Sequence, residues 1–128
     1  MGELTTGVNW LAVGVGTLFS FGLGGLWYSP VLFGVKWADG VGLEIEKDAR
    51  QPVPALIMQL VGTVLFGWLV GISAANEALL LAVLIAITLS VMLIAAGLFG
   101  GNSRYAAVVE GAFVIAMFSI MLICHAIL

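Results

Sequence analysis

Charge is what this sequence has least of. Four residues of 128 are Lys or Arg and seven are Asp or Glu, so charged residues make up 9% of the chain. Soluble domains carry roughly 25%. Four basic side chains cannot build a phosphate-binding stripe, which removes nucleic acid from the field of partners. Cysteine is nearly absent too. With Cys124 alone, no internal disulfide can form and no cysteine-based metal cluster is available. No nucleophile–base pair, phosphate loop or metal-spaced His/Asp cluster occurs. No catalytic residue, no metal ligand and no cofactor site is therefore assigned, and an enzyme is the least supported class.

What the chain has in excess is apolar side chain, at 62%. A fold of this size could not hide so much from water, so lipid is read as the solvent. Four runs, about Val8–Tyr28, Pro54–Ser73, Ala78–Phe99 and Tyr105–Ile127, each reach the roughly 20 residues a membrane helix needs. They are continuous rather than alternating, which argues for helices. The expected fold is all-α: one transmembrane domain over residues 1–128, an integral membrane four-helix bundle. The first run does not read as a secretory signal. Met1 to Gly7 carries Glu3 and no Lys or Arg, and the run continues into Leu26, Trp27 and Tyr28, which suit an interfacial belt. The motif-like Gly22-x-Gly24-Gly25 lies inside that span and is not a nucleotide loop.

Lys36, Lys47 and Arg50 lie between spans one and two, and Arg104 between spans three and four. Those two loops share a side, and the other side has no basic residue. The positive-inside rule then places both termini outside the cytoplasm of a bacterial inner membrane. In the long loop, Ser29-Pro30 reads as an N-cap and first helical residue of a short interfacial helix over Val31–Ala38. Asp39-Gly40 would end it, leaving Phe33 and Trp37 to the membrane interface. Leu43–Arg50 could form a second, with Glu46 and Arg50 spaced as an i,i+4 pair; a solvated loop with partial helix is equally compatible. Ala74–Glu77 and Gly100–Ser103 are short turns, which makes spans two, three and four sequential neighbours.

Lipid supplies no hydrophobic drive between helices, so close backbone approach matters. Span one carries Ala12, Gly16, Ser20 and Gly24 at four-residue spacing. Span two carries Thr63, Gly67, Gly71 and Ala75, and span three Ala82, Ala86 and Ser90. These ridges could close one chain or join protomers. Because four thin helices bury little alone, a homo-oligomer or a place in a larger membrane complex is expected, with the bilayer as the constant partner.

Glu110 is the one Asp, Glu, Lys or Arg between Tyr105 and Leu128. An ionisable group inside a span is costly and marks a candidate site. It lies roughly 9 Å along the helix from Arg104 at 1.5 Å per residue, and about 240° around it, so Arg104 is not a same-face partner. Gln59, Trp27, Tyr28 and Ser29 fall at similar depth, and the expectation is a polar cluster in which Tyr28, Gln59 or Trp27 hydrogen-bonds Glu110. Its role would be a proton relay or, on the blander reading, a carboxyl tying helices together. Met117, Met121 and Cys124 share its face as a soft stripe, read as packed core rather than a copper path. Asn9 is read as a helix–helix contact and His125 as a lone interfacial histidine.

The run Gly25-Leu26-Trp27-Tyr28-Ser29-Pro30-Val31-Leu32-Phe33-Gly34, with Trp37, Asn9-Trp10-Leu11-Ala12-Val13, Leu98-Phe99 and Glu110-Gly111, resembles a bacterial four-span family, domain-of-unknown-function family 1761. The resemblance covers nearly the whole chain. It implies topology, localisation and one recurrent layer of Trp27, Tyr28, Pro30 and the acid, but no activity. The family's acid is commonly Asp, where this chain has Glu110. The sequence thus points to a small inner-membrane protein in a structural or accessory role. The rival is a small proton-coupled transporter or channel using Glu110, and no substrate is legible.

Overall fold

The computed structural model describes residues 2–42 and 53–128, and the regular structure there is helical throughout. In chain order the helices are α1 (Gly2–Thr5), α2 (Trp10–Trp27), α3 (Gly34–Val41), α4 (Val53–Ala75), α5 (Leu79–Phe99) and α6 (Arg104–Ile127). Of these, α2, α4, α5 and α6 are long and apolar enough to cross a membrane. The all-α membrane bundle read from the sequence is the observed architecture.

α6 is the central helix. Half of its span is buried, against 17% for α5. α5 and α2 pack most heavily on α6, and α4 leans chiefly on α2. α4, α5 and α6 pack as sequential neighbours, as the short turns led one to expect, but α5 lies far more closely on α6 than on α4. The core joins Phe66 and Val70 of α4, Ala82 and Ala86 of α5, and Phe113, Met117, Phe118 and Met121 of α6. The methionine stripe is packed interior, with Met121 the largest of the fully buried side chains.

The ridges set the register. Gly16 of α2 lies against the Met121 backbone and Gly24 against the Phe113 ring, while Ser20 Oγ donates to Met117 O between them at 3.4 Å. Gly67 and Gly71 of α4 face Thr17 and Val13 of α2. Ser90 Oγ of α5 donates to Gly111 O of α6 at 2.8 Å. Each ridge is spent inside the one chain, apart from Ala75, which is exposed.

Two local readings change. Asn9 is the N-cap of α2, its side chain accepting from Ala12 N at 3.1 Å, rather than a contact between helices. α3 starts at Gly34, not Val31, and Phe33 rather than Ser29 stands at its N-cap. The reason is that Ser29 turns back onto α2: Ser29 Oγ donates to Leu26 O at 2.6 Å, and Gly34 N donates to Ser29 O at 2.8 Å. The expected Leu43–Arg50 helix and its Glu46–Arg50 pair lie outside the described residues.

Candidate functional site

α3 does not lie free at the membrane surface. It docks on the first turns of α6. Ser103 N donates to Gly40 O at 2.9 Å, and Lys36 Nζ sits 4.4 Å from the centre of the Tyr105 ring. Both ends of α3 depend on glycine. A Cβ on Gly34 would collide with the Tyr28 carbonyl, and one on Gly40 with the side chains of Ser103 and Ala106. Only the missing side chain lets the backbones approach this closely.

That docking brings Trp37 to Glu110. Trp37 Nε1 donates to Glu110 Oε1 at 3.1 Å. The expected donors do other things. Trp27 Nε1 donates to Val109 O at 3.1 Å, one residue short of the acid. Gln59 Nε2 donates along its own helix to Thr63 Oγ1 at 3.4 Å, and Thr63 Oγ1 donates to Gln59 O at 2.6 Å. Ser29 is occupied with Leu26. Tyr28 is a wall: its ring centre lies 4.7 Å from that of Trp37 and 5.4 Å from that of Phe113. The hydrogen bond to Glu110 thus comes from Trp37 and from none of the expected donors. Trp37 was assigned to the interface because nothing local says that α3 folds back on α6.

Glu110 lines a cleft of about 570 Å³ bounded by α2, α4, α5 and α6, with Trp37 from α3. Its origin is a divergence of α2 from α4. The two pack at Val13–Gly71 and Thr17–Gly67, and the same register continued would set Gly25 opposite Gln59. Instead every residue from Val53 to Gly62 is exposed, and a Cβ on Gly22, Gly25 or Gly62 would meet nothing within 4 Å. The space between holds the cleft, with Gln59, Tyr28, Trp37, Phe113 and Glu110 on its walls. So Gln59, Tyr28 and Glu110 of the expected cluster share one cavity, whereas Trp27 stands behind it and Ser29 is turned away. Of the packing residues, Gly16, Ser20, Gly67 and Gly71 are buried, and Gly24 lies at the cleft's edge.

At the opposite end of the bundle, Cys124 is buried and unbonded, and His125 Nε2 has no hydrogen-bond partner among the described residues. Adjacent helical residues point about 100° apart, so the two do not form a chelate. No group of three or more His, Cys, Asp or Glu side chains that could hold a metal occurs among the described residues.

A family model, "Protein of unknown function (DUF1761)", matches residues 11–126. The chain belongs to that family, as the residues from Gly25 to Gly34 and Glu110-Gly111 suggested. No curated protein and no solved structure matches it.

Proposed function

We propose that this member of the family is a small, non-enzymatic, proton-coupled transporter whose substrate site is the cleft at Glu110. What supports the reading is one observation: an intramembrane carboxyl, held by Trp37 alone among the described residues, opens onto a cleft large enough for a ligand. Small-molecule pockets run to about 300–1,000 Å³, and this one falls within that range. A carboxyl that purely tied helices together would be expected to spend its oxygens on neighbouring helices. Glu110 instead accepts one hydrogen bond among the described residues, at Oε1 from Trp37, and lines a cavity. A site that takes either a proton or a substrate is the least machinery that coupling requires.

The chain is a small multi-pass membrane protein, in contact with lipid along the outer faces of its helices. Its place in a bacterial inner membrane, with both termini outside the cytoplasm, is part of the proposal and rests on Lys36, Lys47, Arg50 and Arg104 sharing one side. The structural or accessory role is the rival. Its sequence support was the little that four thin helices bury alone and the reading of Glu110 as a carboxyl tying helices together; the small-residue ridges, Ala75 apart, pack within the one chain. The deciding experiment is reconstitution in liposomes with an imposed pH gradient. Substrate-dependent proton movement that Glu110→Gln abolishes supports the transporter. An inert wild type that co-purifies with a larger complex in native mass spectrometry supports the accessory role.

A further inference from the structure

We infer that the cleft selects an organic monocation carrying a flat or bulky apolar body. The inference rests on the ligand-site reading above and specifies its chemistry. Among the described residues, Glu110 is the one acidic residue on the cleft wall and no Lys or Arg lines it. The cations that lie near it among the described residues are otherwise placed. Lys36 is held over Tyr105, and Arg104 points about 240° away around α6. Among the described residues no cation faces Glu110 across this space, so a cationic ligand would meet an acidic group there and an anionic one would be opposed.

The walls argue the same way. Phe21, Tyr28, Trp37 and Phe113 line the cleft, and the Tyr28 ring stands against both Trp37 and Phe113. Aromatic faces attract a cation lacking N–H donors, such as a quaternary ammonium, as well as an amine. The bare backbone of α2 at Gly22 and Gly25 leaves a smooth face where an apolar body can lie. The other polar groups of the described lining are the Tyr28 hydroxyl and the Gln59 amide, whose Nε2 donates to Thr63. The described lining therefore offers one acid, several rings and few further polar groups, which suits a lipophilic cation better than a sugar, phosphate or zwitterion.

The test is equilibrium binding to the whole chain in lipid nanodiscs, with empty nanodiscs subtracted. Three probes of one shape are compared: 4-phenylbutyltrimethylammonium, the uncharged analogue with a tert-butyl group in place of trimethylammonium, and 4-phenylbutylsulfonate. The cation is expected to bind at least about tenfold tighter than the uncharged analogue, with no measurable sulfonate binding. Glu110→Gln should erase the preference. Gly25→Leu, which fills the cleft without touching its charge, should weaken cation and analogue alike. Uncharged or anionic probe binding within threefold of the cation overturns the cation inference and leaves a ligand cleft standing. Failure of all three probes on the wild type overturns both. Cation binding without proton-coupled flux in liposomes sinks the transporter reading alone. The wild-type comparison decides the inference even if Glu110→Gln does not fold.

Discussion

The Trp37–Glu110 hydrogen bond is the one direct link between α3 and the half-buried acid of α6, and its strength can be isolated with a double-mutant cycle. Trp37→Phe removes the Nε1 donor but keeps a ring against Tyr28, whose centre lies 4.7 Å away in the native protein. Glu110→Leu removes the acceptor and keeps comparable volume. Each single variant mixes several effects. Trp37→Phe loses ring area as well as the bond, and Glu110→Leu also removes a carboxyl that is costly in a membrane and can therefore stabilise. The coupling term cancels these. At 3.1 Å between Nε1 and Oε1 the geometry is that of a full hydrogen bond. Bonds between neutral groups inside membrane proteins couple at about 0.6 kcal/mol on average. Hydrogen bonds to charged groups are worth about 1.5–3 kcal/mol. Glu110 has no other partner among the described residues, so the bond is not shared, and a coupling above about 1 kcal/mol is expected. The assay is reversible unfolding in mixed bicelles titrated with denaturing detergent, for the wild type, both single variants and the double variant. Additivity within about 0.5 kcal/mol, the usual result for independent sites, would refute the claim that Trp37 and Glu110 are joined by a hydrogen bond.

Other substitutions separate close contacts from open ones. Gly40→Val sets a side chain onto Ser103 and Ala106; a loss of about 1–3 kcal/mol is expected, and unchanged stability in the same bicelle titration would contradict the docking of α3. Gly111→Ala drives a methyl into Ile94 and the Ser90 carbonyl and should cost a similar amount, about 1–3 kcal/mol. Gly22→Ala meets nothing within 4 Å and should be neutral or stabilising by up to about 1 kcal/mol through helix propensity; a melting point lowered as far as that of Gly111→Ala would show the cleft to be closed. Maleimide labelling provides a structural check: Cys124 is buried, so the wild type should react slowly, while Gln59→Cys in the same chain should be labelled rapidly by a membrane-permeant reagent.

The parts of this fold legible in the sequence are those that depend on the solvent and on single helices. Runs such as Leu79–Phe99 are too apolar and too long to be anything but spans. Ridges such as Ala12-Gly16-Ser20 mark the face along which another backbone approaches, whichever helix supplies it. Glu110 stood out because its cost is a property of its surroundings alone. The misread residues are those whose partner is chosen by tertiary geometry. Asn9 and Ser29 both have side chains that bond backbone nearby or across helices with similar ease; Asn9 was taken by Ala12 N and Ser29 by Leu26 O. Trp37 reaches Glu110 because Gly34 and Gly40, six positions apart, each allow a backbone to come within hydrogen-bonding distance of another element. That spacing is visible in the sequence, but its meaning depends on where Ser103 stands.

The cleft is a different case, because its signal was present and points outward from the packing pattern. On α4 the small-residue ridge runs Ala75, Gly71, Gly67, Thr63, and the next step back is Gln59. A glutamine side chain is too large to let two helix backbones close at the distance that Gly67 and Gly71 permit. On α2 the matching positions in the observed register are Val13, Thr17, Phe21 and Gly25, so a phenylalanine arrives where the α4 ridge ends. Two bulky side chains at successive steps force the helices apart, and the glycines beyond them, Gly22 and Gly25, then have no partner to approach. Glu110 and Trp37 face that gap from α6 and α3. The end of a packing ridge at a large polar residue, level with a buried acid on another helix, is thus a sequence-level sign of a cleft inside a membrane bundle. Restoring the ridge with Gln59→Ala and Phe21→Ala should draw α4 onto α2 and shut the space around Glu110. Slower maleimide labelling of a cysteine placed at Leu56, relative to the same cysteine in the native background, would show it; equal rates would break the argument.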